Sequence, residues 1–288
     1  MDFADADQRV VAVAGDWHGS ISWVQTVLPA LARVAPEVRT VLHVGDFGIS
    51  RGLRGRVFLD AVDFWCKTAG IEQILVTPGN HEDWEWLDAD FASMPGEPVP
   101  ISAAVSVLPR GFRFTVGSTS FLSFGGAASI DYALRVEGRD WFPTEVPTEE
   151  EVAAAIASGR VDVLITHETV NGGTVASEQV LLANPQGWNA EELAYSALSR
   201  DRVTRVWAAL APQVLVHGHM HVADDIRLAG GQRIYSLGRD FQDRNVGLLD
   251  VDTLSWKWVT EVDTHGKVKR TRDIEGRYLT RPTDLPGE

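Results

Sequence analysis

Short apolar runs, each closed by a polar cluster, alternate with stretches of helical periodicity through the first third of the chain. Val10–Ala14 is such a run and ends in Gly15-Asp16; Val24, Val27, Leu28 and Leu31 then mark one face of a helix. Pro29 lies inside that face and is expected to kink the helix or delay its start. Thr40–Val44 ends in Gly45-Asp46, and a Gly- and Arg-rich loop leads to a helix facing inward with Phe58, Val62 and Trp65. Ile74–Thr77 ends in Pro78-Gly79-Asn80-His81. Strands alternating with helices predict an α/β core with mostly parallel strands.

The pattern changes in the middle. Met94–Pro109 holds four prolines and reads as a loop-rich crossing, whereas Gly111–Val116 and Thr119–Phe124 form a hairpin pattern around Gly117-Ser118. Residues 126–147 show little periodicity. Thr148-Glu149-Glu150-Glu151 is a capping-box signature for a helix that Gly159 can close. Val161–Thr166 is a fourth apolar run, ending in His167; an insertion over about 170–190, helical stretches and Val214–Val216 follow, before His217-Gly218-His219-Met220-His221. Asp225–Leu228 with Arg233–Leu237, and Val246–Val251 with Leu254–Val259, read as antiparallel hairpins. The organisation expected is one domain over residues 1–262, with irregular wall segments near 94–147 and 170–190, and a polar tail over 263–288.

Composition narrows the class. The 288 residues are 44% hydrophobic and 23% charged, which is globular rather than disordered composition. No apolar run reaches the ~20 residues of a bilayer span, so no membrane association is expected. The acidic start, Met1-Asp2-Phe3-Ala4-Asp5, lacks the pattern of a signal peptide, and a lone Cys66 cannot form an intramolecular disulfide. A reducing, cytoplasmic setting is the expectation. The net charge of −14 disfavours a long nucleic-acid partner while leaving nucleotides and short strands open. Oligomeric state has no signal in the sequence.

Five apolar runs end in residues of metal-ligand type: Asp16 and His18, Asp46, Asn80 and His81, His167, and His219 and His221. Ligand sites in α/β sheets gather beyond the carboxyl ends of strands. Buried without partners these groups would each cost several kcal/mol, roughly 2–7 for a neutral polar group, and a divalent metal supplies the partner. Carboxylates, an amide and imidazoles without thiolate suit Mn²⁺ first, with Fe, Zn²⁺ or Ni²⁺ as alternatives, and the number of candidates fits two ions.

The ordered series Gly15-Asp16-Trp17-His18-Gly19, Gly45-Asp46, Gly79-Asn80-His81-Glu82, His167 and Gly218-His219-Met220-His221 resembles the calcineurin-like metallophosphoesterase superfamily. The resemblance spans residues 15–221 and implies an α/β (α+β) four-layer αββα sandwich of two mixed β-sheets, with a dimetal site at the carboxyl ends of the strands. It implies that Asp16, His18 and His221 hold one metal, that Asp46 bridges both, and that Asn80, His167 and His219 complete the second. A hydroxide between the metals would attack a phosphomonoester or phosphodiester in line, with His81 protonating the leaving oxygen or stabilising the transition state. The partners implied are a small phosphoester, a nucleotide or a phosphoprotein. A nuclease acting on short or single-stranded nucleic acid is the alternative, and a non-catalytic scaffold of the same fold the remote one.

Ile49 stands where many relatives carry an acidic residue or histidine that can orient the catalytic histidine or contact substrate, so Glu82 or a backbone carbonyl is expected to orient His81 instead. Gly125-Gly126-Ala127-Ala128-Ser129-Ile130-Asp131, with Arg135 and Trp141-Phe142-Pro143, resembles a stretch of a bacterial and phage branch labelled protein-phosphatase-like, and could wall the crevice. Arg51 and Trp84 are further candidates for substrate contact, as phosphate clamp and stacking surface. Arg54 and Arg56 rank below Arg51. His43 and His217 are expected to be structural, and His265 solvated.

Overall fold

A computed structural model describes residues 8–260. The tail expected over 263–288, with His265, lies outside the described residues. The chain opens with strand β1 (Val10–Ala14), then helix α1 (Ile21–Val34), β2 (Thr40–His43), α2 (Leu53–Ala69), β3 (Gln73–Val76) and α3 (Trp84–Ser93). The proline-rich crossing contributes two short strands, β4 (Val99–Pro100) and β5 (Val105–Val107), which the sequence pattern leaves as loop. The hairpin β6 (Phe112–Val116) and β7 (Thr119–Phe124) is followed by α4 (Glu149–Ala157), β8 (Val163–Thr166), α5 (Val175–Ala183), α6 (Ala190–Leu210) and β9 (Val214–His217). The last strands are β10 (Asp224–Arg227), β11 (Arg233–Ser236), β12 (Val246–Asp250) and β13 (Trp256–Val259).

Two sheets form. One has the order β13-β12-β1-β2-β3-β5-β4 and the other β10-β11-β9-β8-β7-β6. Each has four parallel central strands, β1, β2, β3 and β5 in the first and β11, β9, β8 and β7 in the second, flanked by antiparallel strands. Both C-terminal hairpins form as expected, but on different sheets: β10–β11 extends the second, while β12–β13 returns to the first.

Alternation along the strands turns these sheets into four layers. In β1, Val11 and Val13 face the second sheet, where they join Phe114, Phe121, Ile165 and Val216. Ala12 and Ala14 face the other way and pack with Val27, Leu31, Phe58 and Val62 of α1 and α2. The outer face of the second sheet buries Leu122, Leu164 and Leu215 against Val152 of α4 and Val203 and Val206 of α6. Each such side chain contributes about 1.5–3 kcal/mol when fully buried. The architecture is the αββα sandwich of two mixed sheets.

Local signals explain the helices. Ser20 caps α1, and Thr148 and Glu151 form the capping box of α4. Pro29 neither delays nor ends α1, which runs unbroken from Ile21 to Val34. The carbonyl that loses its helical donor to Pro29 is that of Gln25, an exposed position where such a loss costs least. Asn189 with Glu192 caps α6 in the same manner as Thr148 with Glu151. Helix α5, inside the segment expected to be irregular, is capped by Thr174 and closed by Asn184 in the left-handed conformation.

Candidate metal centre

Parallel pairing aligns the strand ends. Ala14 pairs with His43 and His43 with Val76, so Asp16, Asp46 and Asn80 emerge side by side. Ile165 pairs with Val216 in the other sheet, which brings His167 and His219 to the same edge. The loops continue the alignment: Asp16 N–H donates to Gly45 O at 2.9 Å and His18 N–H to Asp46 O at 2.8 Å. The two sheets meet where His167 Nε2 lies 3.2 Å from Asp46 Oδ1.

Asp16, His18, Asp46, His219 and His221 all adopt left-handed backbone, with φ between 49° and 67°. For non-glycine residues this costs of order 1–3 kcal/mol each and persists only where the surroundings enforce it. Glycine would relieve that strain, so these positions hold strained backbone together with a ligand-type side chain. The neighbouring glycines meet a different demand. A Cβ on Gly79 would fall 2.3 Å from Asp46 Oδ1, and one on Gly218 would fall 2.2 Å from Asp16 Oδ2. Any side chain there would occupy space taken by the carboxylates.

Ligand atoms of Asp16, His18, Asp46 and His221 lie within 4.8 Å of one another. His221 Nε2 is 3.4 Å from Asp16 Oδ1, and His18 Nε2 is 3.5 Å from Asp46 Oδ2. A second group shares Asp46: His167 Nε2 is 3.0 Å from Asn80 Oδ1, and the His219 ring is 5.1 Å from the His167 ring. Two observations fit this site to divalent cations. Asp16 Oδ2 is buried without a hydrogen-bond partner. His167 Nδ1 donates to Val44 O at 2.8 Å, so in the neutral ring Nε2 carries a lone pair aimed at the oxygens of Asp46 and Asn80. Three electron-rich atoms facing one another need a cation among them.

Without that cation, protons take its place. Burial disfavours the charged form of His18, but Asp240 and Asp46 outweigh it and lift its pKa to about 10. His167 is likewise held against burial by Asp46, also at about 10. Burial pushes the Asp46 carboxyl up, yet His167 and His81 hold it well below the usual range. Metal binding must therefore displace imidazole protons, and affinity rises with pH.

The residues behind the ligands come largely from places the motifs do not mark. His18 Nδ1 lies 3.4 Å from Asp240. Buried Asn245 accepts from the indoles of Trp17 and Trp23 and donates to the carbonyls of Gly15 and Gly238, which locks the loop carrying Asp16. Asn80 Nδ2 donates to Ser129 Oγ at 3.0 Å, and Ser129 Oγ donates to Glu145 Oε2 at 2.8 Å. This chain turns the Asn80 carbonyl toward His167. Glu145 also accepts from Ser129 N, Trp141 Nε1 and Tyr195 OH, while burial pushes its pKa up to about 7. Ser129→Ala is expected to free the Asn80 amide to flip and to weaken the second metal position about 10–100-fold. Stepwise metal titration measures this, and an unchanged second affinity would contradict it.

Several expected roles are corrected. Glu82 does not orient His81; its buried carboxylate accepts from the N–H groups of Asp46, Gly48 and Gly79 and ties two motif loops together. Arg135 meets His81 instead, with its two terminal nitrogens 3.0 Å from Nδ1 and 3.3 Å from Nε2. A neutral imidazole has one lone-pair nitrogen, so only one of these contacts is a hydrogen bond. Asp131 and the Asp140 carbonyl occupy the rest of the guanidinium, leaving one N–H without an acceptor beside the ligands. Trp84 is no stacking surface: it is 1% exposed, donates to Gly79 O and is covered by Arg110. Arg51 is no free clamp, since Asp83 and Glu85 hold its guanidinium. Arg54, ranked below it, lines a pocket with His18 and His81. His43 and His217 are buried in the core, and His217 bonds to Gly218 O and Thr169.

Comparison with known proteins bears on the family and the fold. The calcineurin-like phosphoesterase family model matches residues 9–223. The TT1561 protein of Thermus thermophilus superposes with a TM-score of 0.51 at 13% identity, covering 88% of this chain and 98% of that one. A dimetal phosphatase from Danio rerio gives 0.51 at 12% identity, with coverage of 85% and 93%. No curated protein matches the sequence. At such identities the structural likeness speaks for the fold alone.

Proposed function

The chain belongs to the calcineurin-like phosphoesterase family, and from that premise we propose that it is a two-metal phosphoester hydrolase. The observation that carries this reading is the sharing of Asp46 between two ligand groups. Asp16, His18, Asp46 and His221 would hold one divalent cation, and Asp46, Asn80, His167 and His219 the other. The mixed oxygen and nitrogen donors suit Mn²⁺, Fe, Zn²⁺ or Ni²⁺, and Mn²⁺ is the ion proposed first. When bound, such cations polarise the phosphoryl oxygens and lower the pKa of water into the neutral range.

The chain's own residues supply the rest. His81 sits over the centre, its backbone N–H donating to Asp46 Oδ1 at 2.9 Å and its Nε2 3.8 Å from Asp46 Oδ2. Asp46 draws the His81 pKa up, but burial and the cationic Arg135 prevail and hold it below the ordinary value. Free His81 is therefore neutral at pH 7. An entering phosphate dianion opposes Arg135 electrostatically and restores the proton affinity that a general acid needs. Arg135 lines the same recess as Asp46, Asn80 and His219, so its positive charge would face an entering phosphoryl group.

Substrates within this reading are a small phosphoester, a nucleotide or a phosphoprotein. The charge of −14 argues against long nucleic acid as the substrate. No helix of the described residues is long and apolar enough to cross a membrane. The free, buried Cys66 accords with a reducing, cytoplasmic location.

Purified protein supplied with Mn²⁺ is expected to turn over p-nitrophenyl phosphate, bis(p-nitrophenyl) phosphate or both, and the ratio assigns monoester or diester preference. No turnover of either with Mn²⁺, Fe²⁺, Zn²⁺ or Ni²⁺ would overturn the reading.

A further inference from the structure

A recess of about 240 Å³ opens beside the metal ligands. Polar groups line it on the side of the metal ligands, with Asp46, Asn80, His81, Arg135, His219 and His221. The wall drawn from residues 180–196 carries Val180, Leu181, Trp188 and Leu193. Thus α5 and the turn after it, within the segment expected to be irregular, build one wall of the site together with the start of α6.

The polar groups along that wall are already engaged. The Asn184 amide both donates to and accepts from the backbone of Trp188. Ser196 accepts from Arg200 at 2.5 Å. Gln186 aside, little along that wall can recognise hydroxyl or charged groups. Arg135 is the one cationic side chain lining the recess apart from its histidines, and it stands on the side of the metal ligands. A second phosphate or a carboxylate would therefore meet no cationic partner along that wall and would lose hydration.

We infer that the preferred substrate is a phosphoester of an alcohol bearing a compact, uncharged apolar or aromatic group, seated between α5 and α6. This deepens the hydrolase reading and rests on it for the fate of the phosphate. The apolar group gains by leaving water, while the phosphoryl group remains with the metals, His81 and Arg135.

The test separates recognition from hydrolysis. Affinities of the Mn²⁺-loaded protein for 2-phenylethylphosphonate and ethylphosphonate, which cannot be hydrolysed at the P–C bond, are compared by calorimetry. The aromatic ligand is expected to bind at least about tenfold more tightly. Leu181→Asn and Leu193→Asn, both at partly exposed positions, are expected to reduce that ratio several-fold while leaving ethylphosphonate affinity unchanged. Equal affinities in the unaltered protein, or a ratio that survives in both variants, would overturn the inference. Turnover of 2-phenylethyl phosphate is followed in parallel, with ethyl phosphate and glycerol phosphate as poorer substrates. Selective phosphonate binding with no ester turned over would leave the recess assignment intact and remove the hydrolase reading.

Discussion

Asp46→Asn is expected to empty both metal positions and to lower phosphoesterase turnover by at least about 10²–10³-fold, the scale seen when a principal electrostatic contact to a transition state is removed. One carboxylate serves both groups. Its Oδ1 faces His167 Nε2 at 3.2 Å, and its Oδ2 faces His18 Nε2 at 3.5 Å. Asparagine preserves the shape, and its amide oxygen can still accept from His81 N–H, so the fold has no reason to collapse. The negative charge that offsets two cations is lost, and the amide nitrogen presents hydrogens where a ligand oxygen stood. Elemental analysis measures the metals, and circular dichroism confirms folding. Two metals per chain with turnover within tenfold of the parent would remove Asp46 from the bridging role.

His81→Ala should act differently, keeping both metals while losing about 10²–10⁴-fold in turnover, the usual contribution of a positioned acid or base. His81 is 34% exposed and the ligand groups close without its ring, so the centre has no structural need of it. Arg135→Met provides the check on its orientation. Removing the guanidinium removes a positive charge that lowers the His81 pKa, while Asp46 continues to raise it. The imidazolium then persists to higher pH, and the alkaline limb of the rate profile moves upward. A structural role for Arg135 alone would lower turnover without moving that limb. Normal turnover in His81→Ala would end its assignment as acid or stabiliser.

The legibility of this chain in its sequence follows from chain locality. Strand ends are local events: an apolar run, a glycine and a polar residue suffice to mark Asp16, Asp46, Asn80, His167 and His219, and parallel pairing collects them at one edge. The capping box at Thr148 is equally local. Helix α3 leaves a fainter mark, since Trp84–Ser93 has a weak apolar face and buries only Trp84 and Leu87. Strands β4 and β5 hold five residues between them, too few for alternation to register.

Partnerships across the fold leave no such trace. Glu145 is an acidic residue in an aperiodic stretch until the fold places Ser129, Trp141 and Tyr195 around it. Asn245 lies 230 residues from Gly15, and the two meet only when β12 lies against β1. Arg135 reaches His81 across 54 positions, and no spacing rule could pair them. Trp84 follows the His81 motif closely, yet the turn into α3 directs it beneath the loop rather than toward the crevice.

The sequence by itself determined the ligand-type residues, the order in which strands deliver them and the alternating α/β pattern, because hydrophobic periodicity and residue type act over a few neighbouring positions; the four-layer sandwich was implied by the family resemblance. Only the tertiary structure decided what holds those ligands in place, which arginine faces His81 and what lines the other wall of the recess. Those choices depend on distances of a few ångströms between segments separated by tens to hundreds of residues, and those distances exist only once both sheets have packed.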